Sequence, residues 1–281
     1  MSFSPEWLAL REPADHASVN AKVRDELRAR FADTDTIRVV DLGCGAGSNL
    51  RGTWDALGPK QHWTLVDYDP KLLAAAKSRL TAFGKAKSVD NDALRLSMPR
   101  GGTIDVAFKQ ADLSTGNFEP VIGGADLVTA AALFDLISAS VINQLVSGIV
   151  KNRQSFITVL TYDGIASWLP GHPADNSLRE AFNSHQRGDK GFGPALGPAA
   201  TDALAEAFQA QGYRVVRGKS PWVLDRSFLQ LRRELDQGFA GAVRETAQVP
   251  EAEIDSWLAA RLSSDDAVTI IGHEDLLAVP A

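Results

Sequence analysis

Only one cysteine, Cys44, occurs in the 281 residues. It cannot close an internal disulfide, and no thiol cluster exists to bind a structural zinc, so no metal is expected and a reducing, cytoplasmic setting is. Cationic excess is lacking as well, since 29 Lys and Arg face 35 Asp and Glu for a formal charge of −6. A broad phosphate-binding surface is therefore not expected, and neither DNA nor bulk RNA is the expected partner. Uninterrupted apolar runs of membrane-spanning length are missing too: the most apolar stretch, 127–150, is broken by Asp135, Asn143 and Gln144 and reads as core. Residues 1–15 carry charges and two prolines where a secretory leader needs an apolar centre, so they read as part of the fold. What is present is ordinary globular composition, 44% hydrophobic and 23% charged, enough for one large domain with insertions.

Val19, Val23, Leu27 and Phe31 recur every four residues and predict a helix ahead of the first strand. Short apolar runs at 37–42, 63–66, 104–108, 127–131 and 156–160 then alternate with helical patterns, which predicts right-handed crossovers and a parallel sheet covered on both faces. The rhythm changes over 163–198, rich in Gly, Pro, His and charge, with only a short helical pattern near Leu178 to Phe182. A connection of that length usually has a task. A helix over 201–211, a strand over 213–216, two helices carrying Phe228 to Phe239 and Ile254 to Leu262, and a last strand over 268–271 complete the chain.

The most informative segment is Asp41-Leu42-Gly43-Cys44-Gly45-Ala46-Gly47. Glycines there permit a tight turn at a strand's carboxyl end, so backbone can approach a ligand beside a helix start. A dinucleotide fingerprint wants glycine or alanine where Ser48 stands, which disfavours a nicotinamide cofactor. Asp41 followed by GxGxG resembles motif I of the class I S-adenosylmethionine-dependent methyltransferases. Asp67 lies 22 positions beyond Gly45, at a second strand end where that family places an acidic residue on both ribose hydroxyls. The resemblance further implies that Asp112, with Leu113, takes the adenine amino group, and that the strand end around Thr129 and Ala130 lines the methionyl portion. Gly43, Cys44, Gly45, Gly47 and Tyr68 complete the implied cofactor set, while Asp69 is expected to cap a helix beginning at Pro70.

Methyl transfer requires a nucleophile held in line with the sulfonium methyl and sheltered from water. No Asn/Asp-Pro-Pro-Tyr/Phe run follows the fourth strand, where Thr129-Ala130-Ala131-Ala132 stands instead, and this disfavours nucleobase or glutamine N-methylation. Three segments can select the acceptor: 162–168 with Tyr162 and Trp168, 182–193, and 7–20 with Arg11, Asp15 and His16. Residues 183–193 are either a solvated loop or a hinged lid. As a lid, the segment brings His185 as base and Arg187 or Lys190 as anion anchor. The spacing of His172, Asp175, His185 and Asp189 matches no zinc pattern. Arg11 and Asp15 are expected first as a local ion pair, Trp168 as packing or stacking, and Arg51 as meeting the cofactor carboxylate or solvent.

The resemblance implies a doubly wound, Rossmann-like α/β fold with a mostly parallel seven-stranded sheet. The expected organisation is one methyltransferase domain over 1–281, comprising an N-terminal helical cover (1–36), a cofactor half (37–161), a substrate lid (162–200) and a helical insertion between the last two strands (226–264). Its expected function is methyl transfer from S-adenosylmethionine, yielding S-adenosylhomocysteine, to a small-molecule acceptor, with Tyr162, His185 and Arg187 as catalytic candidates. No nucleic-acid or membrane partner is expected, and the chain is expected as a monomer or homodimer. A nicotinamide-dependent oxidoreductase and a non-catalytic S-adenosylmethionine-binding protein are the alternatives.

Overall fold

The computed structural model describes residues 3–90 and 93–281. Two helices come first: α1 (Pro5–Ser18), whose first turn is capped by the Ser4 side chain accepting from the Trp7 N–H, and α2 (Ala21–Arg30), capped likewise by Asn20. They are followed by β1 (Thr36–Leu42), α3 (Ser48–Thr53), β2 (Lys60–Asp67), α4 (Pro70–Phe83), β3 (Lys85–Asp90), β4 (Ala93–Ser97), β5 (Thr103–Gln110), α5 (Glu119–Ile122), β6 (Leu127–Ala131), α6 (Ala139–Lys151) and β7 (Ser155–Leu169). The rest is α7 (Asp175–Gln186), α8 (Ala200–Ala210), β8 (Tyr213–Lys219), β9 (Trp222–Leu224), α9 (Leu229–Thr246), α10 (Glu251–Leu262) and β10 (Val268–Pro280).

Strands β5, β2, β1, β6 and β7 lie side by side and parallel. Both faces of this core are covered: Ile37 and Val39 of β1 join one apolar cluster with α2, α3 and α4, while Val40 and Leu42 join another with α5, α6 and α8. The chain leaves β1 for β2 on one side, and β6 flanks β1 on the other, so a crevice opens above their carboxyl ends.

The fold class is the expected one, but strands exceed the seven expected. The sheet runs β3-β4-β5-β2-β1-β6-β7-β10-β8, with β9 added against β10. In β4 only Leu94 and Leu96 are buried, a pattern too short to stand out. The last strand was expected to span 268–271 yet continues to Pro280. Its interior carries His273, Glu274 and Asp275, which interrupt the apolar pattern; all three are buried, and the two carboxylates have partners. Asp275 accepts from the Asn20 and Leu160 N–H groups and the Ser220 hydroxyl, and Glu274 pairs with Arg217 and Lys219. For the same reason β7 runs past Leu160 to Leu169, paired antiparallel with β10. Segment 162–200 is therefore a strand end, a turn over 170–174, α7, and an irregular stretch around 187–196.

Candidate active site

A cavity of about 380 Å³ lies over the carboxyl ends of the parallel strands. It is lined in strand order by Asp112 and Leu113 after β5, Asp67 at the end of β2, Gly43, Cys44 and Gly45 after β1, Ala131 to Leu133 after β6, and Val159 and Leu160 of β7. Helix α1 covers it with Leu8, Arg11, Asp15 and His16, and the turn at Lys190 to Phe192 closes one side.

The glycine loop takes backbone shapes that side chains resist. Gly43 and Gly45 have φ of +63° and +51°, and a Cβ on Gly45 would stand 2.9 Å from Leu8 Cδ1. The Cys44 N–H donates to the Val66 carbonyl at 2.9 Å, tying the loop to β2. Ala132 and Leu160, both on the cavity wall, also sit at positive φ, +50° and +59°. Such strain at non-glycine residues persists where surrounding structure enforces it, often at functional sites.

The Asp67 carboxylate accepts from Gly45 N–H at 2.9 Å and from Asp69 N–H at 3.0 Å. Burial raises its pKa, against those backbone bonds. Each oxygen of a carboxylate can accept more than one hydrogen bond, so capacity remains for two hydroxyl donors, as a ribose diol requires. Asp112 is held the opposite way, its pKa lowered by the Ser114 hydroxyl and N–H at 2.6 and 2.9 Å. Tyr68, 69% exposed, stands at the same edge. Asp69 caps α4 by accepting from Lys71 N–H, as expected.

Other members of the expected cofactor set lie beneath the cavity rather than on its wall. Asp41, Thr129 and Ala130 are buried, and Gly47 precedes α3 without lining the cavity. Asn49 donates to Asp41 Oδ1 at 2.8 Å and to the Thr129 hydroxyl at 3.0 Å, while Asp41 Oδ2 has no partner among the described residues. Burial pushes the Asp41 pKa up to about 7. Cys44 is on the wall, but burial raises its thiol pKa well above the ordinary value, so it is no thiolate.

The structure does not bring Tyr162, His185 and Arg187 to the cavity wall. They gather behind it at the end of α7: the Tyr162 hydroxyl donates to Asn183 Oδ1 at 2.8 Å, and Arg187 donates to the Asn183 carbonyl at 3.3 Å. His185 Nε2 is 3.0 Å from Glu245 Oε2, and its ring stacks on Phe182. The helix over 175–186 turns His185 toward Glu245 of α9, which a loop reading could not anticipate. Trp168 is a core residue whose indole donates to Asp236, not an acceptor platform. Arg51 is off the cavity wall and largely buried, donating to Glu12 at 2.6 and 2.7 Å. Among the described residues no cluster of three or more His, Cys, Asp or Glu could hold a metal ion.

Helix α1 is the underrated contributor. Arg11 and Asp15 form the expected ion pair, yet both also line the cavity, and His16 Nε2 sits 3.0 Å from the Ser48 carbonyl. The spacing 8, 11, 15 and 19 places these wall residues on one helical face, a signal present in the sequence.

With that geometry in place, residues 39–121 match the sequence model of a methyltransferase domain. This segment resembles a methyltransferase domain. It contains the glycine loop, Asp67 and Asp112. Over 53 residues the chain is 38% identical to malonyl-[acyl-carrier protein] O-methyltransferase of Bacillus cereus, a match spanning 19% of this chain and 19% of that relative. Among solved structures, the YcgJ protein of Bacillus subtilis aligns with 14% identity over 93% of this chain and 100% of its own, at a TM-score of 0.49. Phosphoethanolamine N-methyltransferase 2 of Haemonchus contortus, solved with S-adenosyl-L-methionine, aligns with 15% identity over 99% of this chain and 58% of its own, also at 0.49. No helix among the described residues is long and apolar enough to cross a membrane.

Proposed function

We propose that the chain transfers the methyl group of S-adenosylmethionine to a small-molecule acceptor by in-line displacement, leaving S-adenosylhomocysteine. The observation that carries this reading is the continuity of one cavity from Asp112 past Asp67 and the glycine loop to the wall of β7. The cofactor supplies a methyl group already activated by its sulfonium, so the protein's task is to bind, orient and exclude water. Asp67 holds the ribose hydroxyls. Asp112 accepts from the adenine amino group, with Leu113 and Tyr68 beside it. The backbone of Gly43, Cys44 and Gly45 follows the methionyl portion, while Asp41, Gly47, Thr129 and Ala130 form the supporting layer.

Tyr162, His185 and Arg187 contact neither cofactor nor acceptor in this reading. Enclosure by α1 and by the Lys190 to Phe192 turn suits a metabolite better than a macromolecule. The formal charge of −6 supports action without nucleic acid, and the lone buried cysteine supports a cytoplasmic setting. The chain acts as a monomer or homodimer, with 1–36 as cover, 37–161 as cofactor half, 162–200 beside the acceptor and 226–264 as a helical insertion.

Calorimetric titration of the full chain with S-adenosylmethionine, S-adenosylhomocysteine and NADH tests this. Both adenosyl ligands are expected to bind at about micromolar Kd, with no response to NADH. Asp67→Ala is expected to weaken adenosyl binding by about 1–3 kcal/mol through loss of charged hydrogen bonds. Binding of NADH alone would overturn the reading.

A further inference from the structure

With ribose assigned to the end of β2 and adenine to that of β5, the part of the cavity walled by β6 and β7 is left for the acceptor. That end is walled by apolar side chains, Leu133, Leu136, Val159 and Phe192. Arg11 reaches the same side from α1, because its guanidinium lies over the ring of Trp222, 4.9 Å from the centroid, and β9 is paired to β10 next to β7.

The state of this guanidinium is unusual. Its side chain is only 12% exposed, one face is covered by Trp222, and the edge formed by Nε and Nη2 donates to both Asp15 oxygens at 3.0–3.2 Å. The remaining nitrogen, Nη1, has no hydrogen-bond partner among the described residues. Arginine keeps its charge and five donors at any working pH, so on the cavity wall this nitrogen stays available to donate. Asp15 fixes the plane and leaves the end-on edge open, the geometry that takes two oxygens of one anion. Asp15 itself is engaged by Arg11 through both oxygens and is not free to recruit a cation. His273, near Arg11, is held neutral by burial and by the Arg11 charge, with its pKa down to about 3. Asp135 is also within the field of Arg11 but does not line the cavity.

We propose that the methyl acceptor carries a carboxylate or phosphate, that the open edge of Arg11 holds this anion, and that the acceptor's carbon skeleton rests on the apolar wall of Leu133, Leu136, Val159 and Phe192. The assignment rests on the cofactor placement proposed above. Arg11 is thereby a specificity-determining residue contributed by the N-terminal helix.

The test uses the full chain saturated with S-adenosylhomocysteine, into which benzoate, phenyl phosphate and benzylamine are titrated calorimetrically. At least one of the two anions is expected to bind and benzylamine not to, and whichever anion binds more tightly distinguishes carboxylate from phosphate. Arg11→Gln is expected to weaken that anion by about tenfold or more with S-adenosylhomocysteine affinity held within about twofold. Arg11→Lys, which keeps charge but not the fork, is expected to fall between them. Leu136→Trp, filling the apolar end, is expected to block the anion independently of Arg11. Equal anion affinity in wild type and Arg11→Gln, binding of benzylamine in place of both anions, or binding of none of the three overturns the proposal. Failure of S-adenosylhomocysteine itself to bind is a separate first result that overturns the cofactor reading and this inference with it.

Discussion

Asp41 illustrates how a single side chain sets a pH dependence. It is fully buried at the end of β1, one oxygen is satisfied by Asn49 and the other has no partner among the described residues, and burial pushes its pKa up to about 7. A folded pKa above the unfolded value means that the folded state holds the proton more tightly. The stabilisation is complete below the ordinary carboxylate range and is lost as pH rises through about 7. Asp41→Asn removes the titration while keeping the shape. Urea unfolding of the ligand-free protein is therefore expected to show the variant gaining on wild type by about 2–4 kcal/mol between about pH 4 and about pH 8. A constant difference across that range would mean that Asp41 is already ionised in the folded protein.

At the scale of elements, one carboxylate of α1 gathers two arginines from the helices beneath it. Glu12 takes both Arg51 Nε and Nη2 and also Arg79 Nη1, while Arg79 Nη2 donates to the Pro5 carbonyl. Burial alone would raise the Glu12 pKa, but Arg51, with His16 and Arg79, brings it below the ordinary value. Arg51 is on α3, directly after the glycine loop, and also donates to the Ala46 carbonyl, so cover and loop are tied through one pair. Removing one partner of a largely buried pair leaves the other charge unsatisfied. Glu12→Ala is expected to cost about 2 kcal/mol locally, seen as faster amide hydrogen exchange across 6–18 with exchange in β1 and β2 unchanged. Unaltered exchange in α1 would show that its other contacts, such as His16 with Ser48 and Arg11 over Trp222, hold the cover without Glu12.

Over the whole molecule, the antiparallel extension and the inserted helices are joined by a buried polar knot. Asp236 of α9 accepts from the Trp168 indole of β7 at 3.3 Å and the Thr269 hydroxyl of β10 at 3.0 Å, with Arg232 Nη1 3.7 Å away. Arg232 in turn donates to the carbonyls of Arg261 and Ser264, and so reaches the end of α10. Around this knot Trp168, Phe239 and Trp257 pack edge to face and tilted. Asp236→Ala strands an arginine, an indole N–H and a hydroxyl in the core, and is expected to cost about 3–5 kcal/mol in a denaturant titration, with Asp236→Asn costing less. Equal losses from the two substitutions would assign the effect to volume rather than to the donors.

The parallel half of the fold, with its glycine loop, is legible in the sequence alone. Its strands alternate with amphipathic helices, and its glycine loop, Asp67 and Asp112 are local signals: backbone shape at Gly43 and Gly45 and acidic residues at strand ends depend on neighbours within a few residues. Even the α1 face was legible in the spacing 8, 11, 15 and 19, though which partner that face meets was not. Only the tertiary structure decided which polar residues reach the cavity. His185, Arg187 and Tyr162 looked suited to chemistry, yet the turns of α7 and the extension of β7 direct them toward Asn183 and Glu245. Likewise β10 continues through His273, Glu274 and Asp275 because partners from residues far along the chain, Asn20, Leu160, Arg217 and Ser220, satisfy the two carboxylates. A burial pattern can be read from sequence when apolar residues carry it; when buried charges carry it, their partners must first be brought together in space.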